Sequence, residues 1–217
     1  MTRPRDDVPG ADHDQLQRER RDEGDDDRND DELPGGDRTW RRAAGRFVLV
    51  PVLGEAREQL DAMRRAADPK LAAANSPHLS LIGSSGAGPI LPDQAPDHVR
   101  ACLEAAVRDL PPFTLAAGLP MRFPGTDIVS FELDPHGLLR ALHERVKGSG
   151  LRFGPVRFPF SPHLTISFYR TLDRAAERRL LALRLDAPIV VDRLELSRTN
   201  DPQPPDTEFT VMLGGQA

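Results

Sequence analysis

Cysteine is nearly absent from this sequence: Cys102 is the only one among 217 residues. A single thiol cannot close an internal disulfide, so nothing points to an oxidising compartment. Long apolar runs are missing too, since none approaches the roughly 20 residues that a membrane-spanning helix needs. The N-terminus also lacks the apolar core of a secretory signal peptide. We therefore expect a cytoplasmic protein that makes no contact with a membrane.

Sizeable apolar side chains are scarce in the first part of the chain. Residues 1–37 contain fourteen Asp and Glu against six Arg. Such a segment cannot bury enough surface to offset the entropy cost of ordering it. We predict a disordered acidic tail over residues 1–40 and one folded domain over residues 41–217. The whole chain has a net charge of −5, so the acidic tail hides a mildly basic domain that would suit an anionic ligand.

The rest of the sequence mixes helical and strand patterns. Helices are predicted from apolar spacing, caps and stop signals at 55–67, 97–110, 134–147 and 174–183. Strands are predicted from short apolar, β-branched or alternating runs at 47–53, 78–81, 113–117, 128–133, 160–169, 189–196 and 209–213. Several of these strands are close enough in sequence to form hairpins. This pattern favours an α+β fold with antiparallel sheet over a doubly wound parallel fold.

A hexapeptide occurs twice, 85 residues apart. The stretch at 76–81 reads SPHLSL and the stretch at 161–166 reads SPHLTI. Because side chains alternate between the faces of a strand, His78 and Ser80 share one face, as do His163 and Thr165. The aliphatic residues between them point the other way, into a core. Each half of the domain carries one copy, which predicts two pseudo-symmetric lobes whose polar strand faces meet across a cleft.

Two imidazoles facing one cleft suit phosphodiester chemistry. Unperturbed histidine titrates near pH ~6.5, so one ring can act as a general base while the other acts as a general acid. The hydroxyls of Ser80 and Thr165 can donate to the phosphate oxygens. Neither His78 nor His163 has a His, Cys, Asp or Glu at metal-ligand spacing, so no metal site is expected. No nucleotide-binding Gly-x-x-x-x-Gly-Lys-(Ser/Thr) loop occurs, and no cofactor is expected.

Residues 46–213 resemble the 2H phosphoesterase superfamily, which is named for its two His-x-(Ser/Thr)-x motifs. Within it, the resemblance is strongest to the bacterial and archaeal 2′-5′ RNA ligase family. The resemblance implies a bilobal α+β fold in which two mainly antiparallel sheets flank a central cleft, with the helices outside. It implies hydrolysis of 2′,3′-cyclic phosphate ends of RNA or nucleotides to 2′-phosphates, and in some members reversible 2′-5′ joining of RNA. His78 would then be the proton donor and His163 the acceptor.

Two further residues are candidates for substrate binding. Tyr169 is the only tyrosine and could stack on a base, or else close the edge of the core. Relatives often carry an arginine five residues after the second histidine; this chain has Phe168 there, and Arg170 follows two residues later. The expected partner is RNA with a cyclic phosphate end or a small cyclic nucleotide, and the protein is expected to be a monomer.

Other interpretations remain open at this point. The substrate could be a small cyclic metabolite or a 2′-5′ linked oligonucleotide rather than an RNA end. The chain could also be a nucleotide- or RNA-binding module that has lost turnover. Three histidines outside the motifs are expected to be surface or cap residues of helices: His98, His136 and His143.

Overall fold

A computed structural model describes residues 45–156, 158–199 and 206–214. The predicted tail over residues 1–40 lies outside the described residues. The helices are α1 (Gly54–Ala67), α2 (Pro69–Ala74), α3 (Pro96–Val107), α4 (Gly137–Lys147) and α5 (Arg174–Leu181). The strands are β1 (Gly45–Pro51), β2 (His78–Ile82), β3 (Phe113–Leu115), β4 (Pro120–Arg122), β5 (Val129–Glu132), β6 (His163–Ser167), β7 (Ile189–Val191), β8 (Arg193–Thr199) and β9 (Asp206–Met212).

Every strand pairing among the described residues is antiparallel, which confirms the α+β fold class. One sheet has the order β2-β1-β8-β9 and another has the order β4-β5-β6. A two-stranded ladder of β3 and β7 was not expected from the sequence. The last two strands return to the sheet that holds the first motif, so the lobes are not simply the two halves of the chain. No helix within the described ranges is long and apolar enough to cross a membrane.

The two motif strands belong to equivalent β-α-β units. In the first unit β1 is followed by α1, the short α2 and β2, and Pro51 pairs with His78. In the second unit β5 is followed by α4 and β6, and Glu132 pairs with His163. Both motif histidines therefore occupy the same register position against the neighbouring strand. The pseudo-symmetry predicted from the repeated hexapeptide extends to the backbone pairing.

Both motif strands also carry a bulge at the same position. In β2 the register shifts so that Leu81 is the extra residue, and in β6 the extra residue is Ile166. A bulge turns the side chains that follow it out of the regular alternation. Ile82 and Ser167 are accordingly both buried, directly after a buried neighbour. The bulges end the polar face of each motif strand after its hydroxyl residue.

Helix α4 differs from its prediction in where it begins. Asp134 was expected to cap it, yet the helix begins at Gly137. The Asp134 carboxylate instead accepts a hydrogen bond from the His136 amide at 2.9 Å, a local turn that delays the helix. Helix α2 was not predicted at all, because six residues are too few to show a helical period.

The expectation that His143 lies on the surface was wrong. Its side chain is fully buried, on the same face of α4 as Leu139, Leu142 and Val146. The spacing of three and four residues puts these four side chains on one stripe of the helix. The ring stacks on Phe160 with centroids 4.0 Å apart. A lone histidine within an apolar stripe is a core residue here, because the stripe decides which face of the helix is buried.

Gly86 closes the space above the His143 ring. A Cβ atom at this position would lie 2.5 Å from His143 Nε2 and 2.8 Å from Phe160 Cβ, and the backbone φ is +73°. Gly125 has almost the same backbone, with a φ of +71°, but nothing lies within 4 Å of its Cβ position. The two glycines therefore separate the cost of backbone strain from the cost of crowding.

Gly86→Ala should destabilise the protein more than Gly125→Ala. The second change costs only the left-handed backbone penalty, about 1–2 kcal/mol. The first adds crowding against the His143 ring and the Phe160 Cβ atom, about 1–3 kcal/mol more. Urea unfolding of both variants against the wild type measures the difference, and equal losses would show that the ring contact around Gly86 is not tight.

Candidate active site

The polar residues of both motifs lie on one face of their strands, as the alternation predicts. His78 and Ser80 in β2 are partly exposed, and so are His163 and Thr165 in β6. The intervening residues are buried in the core: Leu79, Leu81, Leu164 and Ile166. Strands β2 and β6 contact each other directly. The structure thus brings the two motif strands together, and the charge of His163 acts on His78.

Each motif imidazole is oriented by its own chain. His78 Nδ1 lies 2.8 Å from the carbonyl oxygen of Ser76, and His163 Nδ1 lies 2.8 Å from that of Ser161. A carbonyl can only accept, so each Nδ1 carries the hydrogen and donates it. In the neutral ring the lone pair is therefore on Nε2. The same turn, with a proline between the two partners, occurs in both motifs and gives both rings the same tautomer.

Both motif imidazoles titrate below the ordinary range of histidine. Burial lowers the pKa of His78 to about 4, against the opposing effect of the Ser76 carbonyl, and the positive charges of Arg64 and His163 lower it further. Burial also lowers the pKa of His163, with the Ser161 carbonyl opposing. Both rings are consequently neutral in the free protein at pH 7, because protonation would place charge in a poorly solvated region.

Phe123 is a site residue that the sequence did not reveal. Its ring meets the His163 ring edge to face, with centroids 5.0 Å apart. It lies on the turn between β4 and β5, where its amide donates to the Ile128 carbonyl and its carbonyl accepts from the Thr126 amide. This turn holds the aromatic ring against the imidazole. Only the neighbouring Pro-Gly pair signalled a turn in the sequence, and nothing there indicated which way the ring would point.

The segment before the second motif is tied to the loop after the first. The Ser161 amide donates to the Ser85 hydroxyl at 3.1 Å, and the Gly86 amide donates to the Phe158 carbonyl at 2.9 Å. Ser85 is itself buried, so its bond is shielded from water. The approach of the chain to His163 is therefore defined by the loop that leaves β2.

Asp68 anchors the other end of the second motif. Its carboxylate, 2 % exposed, accepts from the amides of Phe168 at 2.8 Å, Tyr169 at 2.7 Å and Leu71 at 3.0 Å. Burial opposes ionisation of Asp68, yet the amides of Phe168, Leu71, Tyr169 and Arg170 together outweigh it and hold its pKa below the ordinary value. One side chain thus caps α2 and holds the turn that follows β6.

The two additional substrate-binding candidates lie on that turn, beyond the end of β6. Tyr169 is 37 % exposed, and the Lys70 ammonium lies 4.5 Å from its ring centroid. Arg170 is exposed and donates to the carbonyl of Ala67 at 3.1 Å, at the end of α1. The bulge and the early end of β6 take both residues out of the regular alternation of that strand. Their part in substrate binding stays a prediction.

Within the described ranges, no group of three or more His, Cys, Asp or Glu side chains is arranged to hold a metal ion. The groups on the two contacting strands that can take part in chemistry are two imidazoles and two hydroxyls. Each imidazole donates through Nδ1, and its Nε2 lone pair takes no part in that hydrogen bond. Such a set can exchange protons with a bound anion and donate hydrogen bonds to it.

This chain is similar to one known protein family and to several solved structures. A family model for the 2′-5′ RNA ligase superfamily matches residues 52–203. No curated protein sequence gave a significant match. Among solved structures, TT0787 of Thermus thermophilus is similar with a TM-score of 0.59 at 19% identity, over 80% of this chain and 100% of that chain.

LigT of E. coli is also similar in structure. Its apo form aligns with a TM-score of 0.50 at 19% identity, over 78% of this chain and 97% of that chain. Its complex with 3′-AMP aligns with a TM-score of 0.50 at 18% identity, over 78% and 98% of the two chains. At these identities the likeness concerns the fold.

Replacing Asp68 by Asn should destabilise the protein by about 2–3 kcal/mol at pH 7, because three amides lose a charged acceptor. A carboxyl with a depressed pKa contributes stability above its unfolded value of ~3.9, and that contribution is lost as the pH falls through the folded value. The difference between variant and wild type should therefore shrink in acid. Denaturant unfolding at several pH values measures it.

Asp173→Asn is the matched control, since Asp173 caps α5 through the Ala176 amide and, among the described residues, its carboxylate accepts from no other segment. Its loss should be smaller than that of Asp68→Asn. Equal losses would mean that Asp68 acts only as a helix cap.

Proposed function

This chain belongs to the 2′-5′ RNA ligase superfamily, and from that membership we propose that it is a metal-independent phosphodiesterase that opens 2′,3′-cyclic phosphates to 2′-phosphates by histidine acid–base catalysis. The substrates are the cyclic phosphate ends of RNA or small cyclic nucleotides. One observation carries the proposal: two imidazoles lie on contacting strands and have the same tautomer. In each ring Nδ1 donates to a backbone carbonyl, so the Nε2 lone pair takes no part in that bond.

The reaction needs one proton removed and one delivered. His163 takes a proton from water as the water oxygen attacks phosphorus. The bond from phosphorus to the 3′ oxygen breaks, and His78 gives its Nε2 proton to that oxygen. The product carries the phosphate on the 2′ oxygen, and solvent exchange restores both rings. Ser80 and Thr165 donate to the non-bridging oxygens as negative charge grows there.

Because the pKa of His78 is low, the bound phosphate helps this ring to take up the proton that it needs as the general acid. In the free protein His78 is mostly neutral at pH 7, because its pKa is about 4. The bound phosphodiester brings a negative charge beside the ring, and a nearby opposite charge raises the pKa of an imidazole. Substrate binding therefore favours the protonated form of His78 that the leaving oxygen requires. Burial lowers the pKa of both rings, so the assignment of His78 as the acid and His163 as the base follows the family resemblance.

His78→Ala and His163→Ala should each lower kcat by at least about 10²-fold, because each removes one of two proton-transfer groups. Hydrolysis of a nucleoside 2′,3′-cyclic phosphate is measured in EDTA, and the product is mapped as 2′- or 3′-phosphate. His98→Ala, an exposed residue of α3, is the control and should keep wild-type activity. Full activity in either motif variant would overturn the mechanism, and binding without turnover would favour a binding module.

The pH profile should reflect the low pKa values of both rings. The kcat/KM ratio reports the free enzyme, which needs His78 protonated and His163 neutral. With both pKa values below ~6.5, the optimum should lie on the acidic side of pH ~6.5, with a fall of up to about tenfold per pH unit above it. The kcat profile should lie at higher pH, since bound phosphate raises the pKa of His78. An alkaline optimum for kcat/KM would contradict these assignments.

A further inference from the structure

Two buried side chains outside the motifs donate to the main chain of the motif strands. Arg64 Nε, from α1, lies 2.9 Å from the carbonyl oxygen of Thr165 in β6. His143 Nδ1, from α4, lies 2.9 Å from the carbonyl oxygen of Leu81 in β2. We infer that Arg64 and His143 are a reciprocal pair of positioning residues, which hold the two motif histidines at the spacing that the reaction requires. The inference rests on the proposed function.

Arg64 joins the second motif to the segment just before the first. Its side chain is 2 % exposed. Besides the Thr165 carbonyl, the guanidinium reaches the Asn75 carbonyl through Nη1 at 3.1 Å and the Asn75 amide oxygen through Nη2 at 3.3 Å. Asn75 lies three residues before His78. A planar guanidinium with donors in a rigid fork fixes direction as well as distance, which an ammonium cannot do.

His143 repeats this arrangement in the other unit. It donates to the first motif at Leu81 and stacks on Phe160, three residues before His163. A Cβ atom at Gly86 would lie 2.5 Å from Nε2, so the backbone packs closely against the ring, and Nε2 has no hydrogen-bond partner among the described residues. Burial lowers the pKa of His143; the Leu81 carbonyl and Glu144 oppose this, while Lys147 and Arg140 add to it. The ring is neutral and serves as a single fixed donor.

The two bonds cross between the units in the same sense, although they end one residue apart in the repeat: Thr165 is two residues after His163, and Leu81 is three residues after His78. The helix of each β-α-β unit holds the motif strand of the opposite unit, and each bond ends on a backbone carbonyl. A hydrogen bond to a backbone carbonyl fixes the position of the strand and does not depend on which side chain that residue carries. Misplacement of reacting groups by about 1 Å can cost ~10²-fold in rate. The crossed arrangement therefore constrains the separation of β2 and β6 from both sides.

The chemistry of Arg64 favours a positional role over a purely stabilising one. Burial lowers its pKa to about 10, with Asp61 and Asp68 opposing, so it stays charged at neutral pH. None of its hydrogen bonds to described residues goes to a carboxylate. Burying a cation costs free energy that an apolar side chain of the same volume would avoid. Its charge also lowers the pKa of His78, together with burial and the charge of His163.

The test compares the kcat of two kinds of variant. Arg64→Met and His143→Leu remove the donor nitrogens, whereas Arg64→Lys and His143→Asn each keep one donor nitrogen. With a nucleoside 2′,3′-cyclic phosphate as substrate, Arg64→Met and His143→Leu should each lower kcat about 10- to 100-fold and change KM less than about threefold. His143→Asn, whose amide can replace the Nδ1 donor, should recover most of that loss. Arg65→Met is the control, because Arg65 is an exposed neighbour on α1.

A second measurement needs no turnover. NMR titration of the His78 and His163 rings in substrate-free protein should show a higher pKa for His78 in Arg64→Met than in the wild type or in Arg65→Met. If the wild type has no cyclic phosphodiesterase activity, the proposed function fails, while this titration still tests whether the Arg64 charge lies close to His78. Folded variants with unchanged kcat and unchanged titration would overturn the inference. Should Arg64→Met not fold, full kcat in Arg64→Lys would overturn it, and a reduced kcat would support it.

Discussion

Hydrogen bonds from side-chain nitrogen to main-chain carbonyl are the interaction on which the candidate site depends. His78 and His163 each donate to the carbonyl two residues before them, and Arg64 and His143 each donate to a carbonyl of the opposite motif strand. The first pair of bonds orients the rings, and the second pair relates the two strands that carry them. Because every acceptor is backbone, the geometry is tied to the fold and not to the rotamer of a neighbouring side chain.

Burial gives the same site its protonation state. The aliphatic residues behind each motif strand and the contacts between β2 and β6 leave the imidazoles poorly solvated, so the pKa of each falls. Arg64 adds a fixed positive charge that acts on His78. Burial disfavours charge of either sign, whereas the positive charge of Arg64 favours an anion. In the proposed mechanism a bound phosphate would raise the pKa of His78, so that substrate binding would prepare the acid.

Strand alternation and the repeated hexapeptide were enough to predict the polar faces, the aliphatic backing and the internal pseudo-symmetry. These features are local, since they depend on a period of two residues and on a match within six. The predictions that failed depend on long-range packing. His143 was placed on the surface because one helix was considered without the ring of Phe160 and the strand it would meet. The bulge in β6 was not visible in the sequence either, while the part of Tyr169 and Arg170 in substrate binding is still a prediction.

Sequence alone determined which side chains are the candidates for chemistry: two histidines and two hydroxyls, in two copies of one pattern. It also determined membership of a family, because a short motif with this spacing is specific. Tertiary structure alone decided what holds those groups. Arg64 is 101 residues from its partner Thr165, and His143 is 62 residues from Leu81. A bond to a carbonyl leaves no trace in the identity of the acceptor residue, so no pattern in the chain could have revealed either contact.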